Sequence, residues 1–273
     1  MKNNSAGGAG NRPNIKGLLM LSFGFFITLF AFFSSANIYG KILKERGYGS
    51  LGFIGLAVLY ISLSITSFFT PSIAGLMSDQ RALQLGALSF TLYVLTGLIA
   101  CSDGVSEILI TITVLFGCCQ NGVLGAIVWV AQGKYLASCV KICPEKSGSY
   151  ASLFWTIALG SQIFAYMFNS IILGHFSALT LFTLSSTISI FGIIMFGLLP
   201  QPVMPEGYIA PQENARENLN ILLALLRDKQ VITIYGLFYN SATAAATAQG
   251  LLIPFYCLIL KDQPIPEQLR LSS

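Results

Sequence analysis

The sequence predicts an all-α protein that crosses a membrane several times. Of its 273 residues, 54% are hydrophobic and only 10% are charged, whereas soluble proteins carry about 25% charged residues. Residues 51–77 contain no Asp, Glu, Lys or Arg, and a helix of that length spans roughly 40 Å, enough to cross a ~30 Å hydrocarbon layer. Because helices satisfy their backbone polar groups internally, we expect a helical bundle in lipid.

Six apolar runs predict six membrane spans between residues 17 and 199. A polar, basic tail over residues 1–16 precedes them and is expected to be disordered. The first run is longer than the apolar core of a signal peptide, which is usually about 7 to 15 residues. The spans are expected at residues 18–39, 51–77, 82–101, 108–131, 150–173 and 176–199.

Two connections between the spans are informative. Residues 132–148 carry four charged side chains and predict a polar loop. Between Lys146 and Glu206 no charged residue occurs, a run too long for one crossing, so we expect a break at Gly174 and His175. At such a turn, His175 is interpreted as a solvated side chain rather than as a proton relay.

A composition change marks the end of the sixth span. Prolines and charged residues predict an irregular cytosolic linker over residues 200–230. Four leucines within it recur at the spacing of a short amphipathic helix on the membrane surface: Leu219, Leu222, Leu223 and Leu226. Residues 231–260 predict a seventh span, and residues 261–273 a polar tail.

The distribution of basic residues predicts the orientation. Ten of the 15 Lys and Arg residues fall on the side of the amino-terminal tail and five on the opposite side. The positive-inside rule therefore places the amino terminus in the cytosol. The choice between the plasma membrane and an internal membrane stays open.

No motif predicts catalysis. Gly47, Gly49 and Gly52 fit a phosphate-binding G-x-G-x-x-G pattern, but that pattern requires a βαβ unit, so a tight turn is expected instead. The six cysteines include no four-ligand zinc set and are interpreted as free thiols, with acylation as the alternative. We expect no enzyme activity, no cofactor, no metal and no nucleic-acid partner.

Residues 75–81, GLMSDQR, resemble a degenerate signature of the major facilitator superfamily, which lies between its second and third spans. Gly75, Asp79 and Arg81 match that signature. The resemblance implies the amino-terminal six-helix half of that fold plus a seventh span. We therefore expect a truncated product or a partial gene model, with a homodimer as the alternative way to close a cavity.

A more specific resemblance is to the uncoordinated protein 93 (Unc-93-like) family of that superfamily. It rests on residues 47–73 and on residues 122–136, GVLGAIVWVAQGKYL, with weaker support from residues 225–240. The family-like residues of the second segment are Gly122, Trp129, Gln132, Gly133 and Tyr135. The resemblance implies a regulatory partner of a potassium channel, or an escort of another membrane protein such as a receptor.

Three amides provide the candidate polar site at mid-membrane depth: Gln120, Asn121 and Gln162. If their spans face a cavity, they could bind a small solute near the bilayer midplane. Alternatively they join helices, at about 0.6 to 2 kcal/mol each. The second hypothesis is therefore a solute or ion transporter, by uniport or coupled through a missing second half. The charge-free spans argue against ion coupling.

Overall fold

The computed structural model describes residues 14–205, 207, 220, 224–225, 227–229 and 231–233. The described residues form seven α-helices and one 3-10 turn, Pro144–Lys146. The helices are α1 (Ile15–Glu45), α2 (Leu51–Ser67), α3 (Thr70–Ala74), α4 (Asp79–Cys101), α5 (Glu107–Val140), α6 (Ser147–His175) and α7 (Ala178–Gly197). The amphipathic helix of the linker and nearly all of the predicted seventh span lie outside the described residues.

Five helices are long and apolar enough to cross a membrane: α1, α4, α5, α6 and α7. The prediction of an all-α, multi-pass membrane protein is therefore confirmed for the described part of the chain. The number of crossings in this half stays a prediction, since α2 has only 17 residues. The break expected at Gly174 and His175 is also confirmed, because α6 ends at His175, which is exposed.

The second predicted span, residues 51–77, is divided in the structure into two helices near Pro71. α2 ends at Ser67 and α3 begins at Thr70. Pro71 has no N–H to donate to the Ser67 carbonyl four residues earlier. At the neighbouring position, the Phe69 N–H and the Thr70 hydroxyl both donate to the Thr66 carbonyl, at 2.9 and 2.8 Å. The chain tightens there and turns.

The prediction of a charged loop over residues 132–148 is wrong, because α5 continues to Val140. Gln132, Tyr135, Ser138 and Cys139 are buried, and their spacing continues the helical period of the preceding residues. Only residues 141–146 connect α5 to α6. The lysines of this segment mark a helix end and a short turn rather than a long loop.

The most extensive helix contacts in the bundle follow a two-fold pattern. α1 packs on α6 and α7, while α5 packs on α2 and α4. Exchanging α1 with α5, α2 with α6, and α4 with α7 maps each of these contacts onto another. The α4–α7 contact maps onto itself. The described long helices therefore form two corresponding sets of three: α1, α2 and α4 in the first set, and α5, α6 and α7 in the second.

The bundle has two ends, which we name by their connections. The proximal end contains the start of α1, residues 75–78, residues 141–146 and residues 198–205. The distal end contains residues 46–50, 102–106 and 176–177. α1 begins at Ile15, so residues 15 and 16, expected in the disordered tail, belong to the helix.

Candidate functional site

The facilitator-like corner lies at the proximal end and starts a helix. Asp79 is the first residue of α4, and its negative charge interacts favourably with the positive end of the helix dipole. The Ser78 side chain accepts a hydrogen bond from the Arg81 backbone N–H, at 3.4 Å. Gly75 and the Arg81 side chain are exposed. Gln80 donates from its side-chain amide to the Gly197 carbonyl, which ties this corner to the end of α7.

Two of the three candidate amides lie on α5 and bond α4. Asn121 is 2% exposed, and its Oδ1 lies 3.0 Å from the Ser89 hydroxyl, which shares its proton between this oxygen and the Gly86 carbonyl at 2.6 Å. Gln120 is half-buried and donates from Nε2 to the Ser89 and Gly117 carbonyls, at 3.0 and 3.1 Å. The Gln120 Oε1 atom is buried without a partner among the described residues.

The third candidate amide is on a different helix. Gln162 is half-buried on α6, and α6 packs mainly on α1 rather than on α5. The structure therefore brings Gln120 and Asn121 together around Ser89 but gives no contact between them and Gln162.

The 122–136 segment, predicted from resemblance, supplies contacts along much of α5. Gly122 packs directly against the α2 backbone, and a Cβ there would collide with the Leu59 carbonyl and lie 3.0 Å from the Leu63 nitrogen. The Trp129 ring stacks on Trp155 of α6 at 6.0 Å and lies 5.4 Å from the Phe25 ring of α1. These contacts join α5 to α1, α2 and α6.

The rest of that segment lies near the proximal end. Gln132 is buried at 6% exposure, and Gly133 is exposed with open space around it. Tyr135 donates from its hydroxyl to the Pro200 carbonyl at 2.5 Å. Gly17 permits this contact, because a Cβ at residue 17 would overlap the Tyr135 hydroxyl.

Sequence reasoning missed two hydrogen bonds that join the Asn14 side chain to the Val203 backbone, which we call the Asn14 clasp. The Asn14 side chain pairs with the Val203 backbone: Oδ1 accepts from the Val203 N–H at 2.7 Å, and Nδ2 donates to the Val203 carbonyl at 3.1 Å. Asn14 also has a left-handed backbone, with φ of 73°. Asn directly before a long apolar helix was the available signal, since Asn tolerates that conformation.

A second missed contact closes the distal end. The Arg46 guanidinium donates to the Ala100 and Ser102 carbonyls, at 3.2 and 3.1 Å, and to Asp103 at 3.2 Å. It thereby joins the α1–α2 turn to the loop after α4. In that turn Gly47 and Gly49 have φ values of 88° and 55°, which confirms the tight turn expected for the glycine pattern.

A third missed feature is a stripe of small residues on the outer surface of α6. Gly148, Ser152, Thr156 and Gly160 recur every four residues, and all are exposed except Gly160, which is half-buried. A Cβ added at Gly148 or Gly160 would meet no atom within 4 Å. Such stripes let another helix approach closely in a membrane. We call these four residues the α6 stripe.

The described part of the chain also contains residue types that can form disulfides or bind metals. Five cysteines are free thiols: Cys101, Cys118, Cys119, Cys139 and Cys143. Among the residues that the structure describes, no group of three or more His, Cys, Asp or Glu side chains could hold a metal ion. Cys257 lies outside this region.

Comparison with known proteins decides the family. The family model described as "Ion channel regulatory protein UNC-93" matches residues 40–246, more than half of the chain. The chain belongs to the UNC-93 family. This confirms the resemblance seen in residues 47–73 and 122–136, and the family is described as regulatory.

The UNC-93 chain is similar to named relatives over part of their length. It is 24% identical over 196 residues to "UNC93-like protein MFSD11" of Xenopus tropicalis, covering 68% of this chain and 41% of that protein. It is 27% identical over 172 residues to "Protein unc-93 homolog A" of Bos taurus, covering 59% and 35%. The UNC-93 chain thus spans less than half the length of these relatives.

One solved structure is similar to the UNC-93 chain. It is a crystal structure of the peptide transporter POT in complex with sulfate, at 16% sequence identity and a TM-score of 0.49. The match covers 94% of this chain and 54% of the transporter.

Proposed function

We propose that this chain is a regulatory or escort partner of an ion channel, with a potassium channel as the first candidate and another membrane protein as the second. The observation that carries the proposal is the match of residues 40–246 to the ion channel regulatory family. Regulation of this kind requires a surface that binds another membrane protein, and no catalytic group.

The α6 stripe supports the proposal, because it offers a binding surface within the membrane. Association of helices in lipid depends on close packing, and small residues permit it. Each stripe residue is accessible or partly accessible. Large exposed side chains follow the stripe on the same face of α6, including Ile163 and Met167 at 65% and 57% exposure. A partner helix could place its ridge over the small residues and contact these large side chains.

The alternative function is transport of a small solute, and one observation favours it. The Gln120 Oε1 atom has no partner among the described residues, so a solute with a hydrogen-bond donor could bind it. Against this, Asn121 is buried and already bonded to Ser89. The amides on α5 therefore serve helix packing first, and regulation remains our proposal.

Co-expression separates the two functions. The chain is expressed alone and with each of a panel of potassium channels, and we measure solute uptake, channel current and channel abundance at the cell surface. Regulation predicts a change in the current or surface abundance of at least one channel, with copurification and no saturable uptake. Saturable uptake by the chain alone, with every channel unaffected, would contradict the proposal.

A further inference from the structure

Most of the unpaired buried polar atoms lie on α1, α6 and α7. Six buried side-chain N or O atoms lack a hydrogen-bond partner among the described residues, and five of them belong to these three helices. Three of the five are the Ser34 hydroxyl on α1, the Asn169 Oδ1 on α6 and the Ser185 hydroxyl on α7; the other two are the Ser186 hydroxyl, next to Ser185, and the Tyr150 hydroxyl near the start of α6. Ser34 and Ser185 are fully buried, and Asn169 is 6% exposed.

The contact between α1 and α6 fixes the Asn169 amide. Its Nδ2 donates to the Ser34 carbonyl at 2.9 Å. Turning the amide over would place its oxygen against that carbonyl, which can only accept. The observed orientation is therefore required, and it leaves the Asn169 oxygen unpaired beside a residue whose own hydroxyl is unpaired.

The register of α1 against α7 brings Ser185 to the same layer. Gly192 lies directly against Thr28, and the Tyr39 ring lies 5.8 Å from the Phe182 ring. The helices are thus antiparallel. Moving two turns, or seven residues, along each from the Gly192–Thr28 contact places Ser185 opposite Ser35, the neighbour of Ser34.

The chemistry of these atoms selects the ligand. Asn169 Oδ1 requires a donor, whereas each serine hydroxyl can both donate and accept. Water supplies both functions, and buried waters in proteins typically bond to otherwise unpaired polar groups. A cation is disfavoured, because residues 15–44 and 147–205 contain no Asp or Glu to balance its charge.

We propose that Ser34, Asn169 and Ser185 form an internal water site between α1, α6 and α7. Water donates to Asn169 Oδ1 and accepts from the Ser34 hydroxyl, and the Ser185 hydroxyl completes the polar layer. The site joins three helices through hydrogen bonds that exchange readily. It is independent of the proposed channel regulation.

Water-edited solid-state NMR of the chain in lipid bilayers tests the site. With ¹⁵N-labelled asparagine side chains, magnetisation from water should reach the Asn169 amide several times faster than the Asn121 amide. Asn121 is the matched control, because it is similarly buried and its oxygen accepts from Ser89. Transfer to Asn169 that is no faster than transfer to Asn121 would overturn the proposal.

A serine substitution provides the second measurement. If Ser34 bonds water, Ser34→Ala should lower the Tm by several degrees, at least as much as Ser22→Ala. Ser22 is the matched control, because it is fully buried on the same helix and its hydroxyl is bonded to the Leu18 carbonyl. If the Ser34 hydroxyl is unpaired, its removal should leave the Tm unchanged or raise it, since deleting an unsatisfied polar group is neutral or stabilising. That result would overturn the proposal.

Discussion

The Tyr135 hydroxyl on α5 donates a hydrogen bond to the Pro200 carbonyl, at 2.5 Å. This bond joins the family-like segment of α5 to the residues that leave α7. Together with the Asn14 clasp on Val203, it fixes where the linker begins at the proximal end.

Replacing Tyr135 with Phe removes this bond alone. We expect a loss of about 0.5 to 1.5 kcal/mol in the free energy of unfolding, the usual net contribution of one hydrogen bond. Thermal unfolding of the purified chain measures it. Tyr166→Phe is the control, because Tyr166 is 41% exposed on α6 and its hydroxyl makes no buried hydrogen bond among the described residues, so its loss should cost little. Equal losses in both variants would contradict the assigned role of Tyr135.

Asn14 contributes both a backbone conformation and a side chain, and two substitutions separate them. Asn14→Gly keeps the left-handed conformation and loses the bonds to Val203, whereas Asn14→Ala also strains the backbone, by roughly 1 to 2 kcal/mol. Both variants should lower the Tm of the chain, and Ala should be the less stable. A wild-type Tm in both variants would exclude the clasp.

Asn121 and Gln162 should behave differently when replaced by Leu. Asn121→Leu removes a buried bond between helices and should lower stability by about 0.6 to 2 kcal/mol, while the half-buried Gln162 should tolerate Leu. A double-mutant cycle with Ser89→Ala should show coupling, because Ser89 and Asn121 share one bond. Additive effects, or loss of saturable uptake in Asn121→Leu at unchanged surface expression, would contradict a structural role.

Orientation can be measured with introduced cysteines in a chain whose native cysteines are replaced. Cys139 and Cys143 are poor reporters, since they are 1% and 9% exposed. Ser149→Cys at the proximal end and Ser50→Cys at the distal end are exposed positions. In sealed vesicles of known sidedness, an impermeant maleimide should label residue 149 from the cytosolic side and residue 50 from the other. The reverse pattern would invert the predicted topology.

The sequence predicted the helical class and the main break between α6 and α7 because long charge-free runs have few alternatives in lipid. The predictions were wrong where tertiary contacts determine where a helix ends. Lys134 suggested a loop, yet buried Tyr135 and Cys139 keep this part of α5 helical against the bundle. Pro71 is visible in the sequence, but the end of α2 at Ser67, four residues earlier, depends on hydrogen bonds to the Thr66 carbonyl.

Candidate site residues were identified by type but not by grouping. Amides stand out in an apolar span, so Gln120, Asn121 and Gln162 could be found from sequence. Their partners could not, because helix pairing determines that Asn121 meets Ser89 while Gln162 lies on a helix packed against α1. The α6 stripe had a sequence signal in its four-residue spacing. Its exposure required the bundle.

The central claim is that the chain binds another membrane protein, and Gly160→Leu on the α6 stripe tests it most directly. The new side chain enters open space, and Leu favours a helix over Gly by about 0.5 to 1 kcal/mol, so the fold should be retained. Gly133→Leu is the matched control, since Gly133 is exposed, helical and open but lies on α5. The measurement is copurification of the channel that the wild type binds, at equal expression and Tm. We predict at least a tenfold loss for Gly160→Leu and none for Gly133→Leu, whereas wild-type copurification by Gly160→Leu would contradict binding through the α6 stripe.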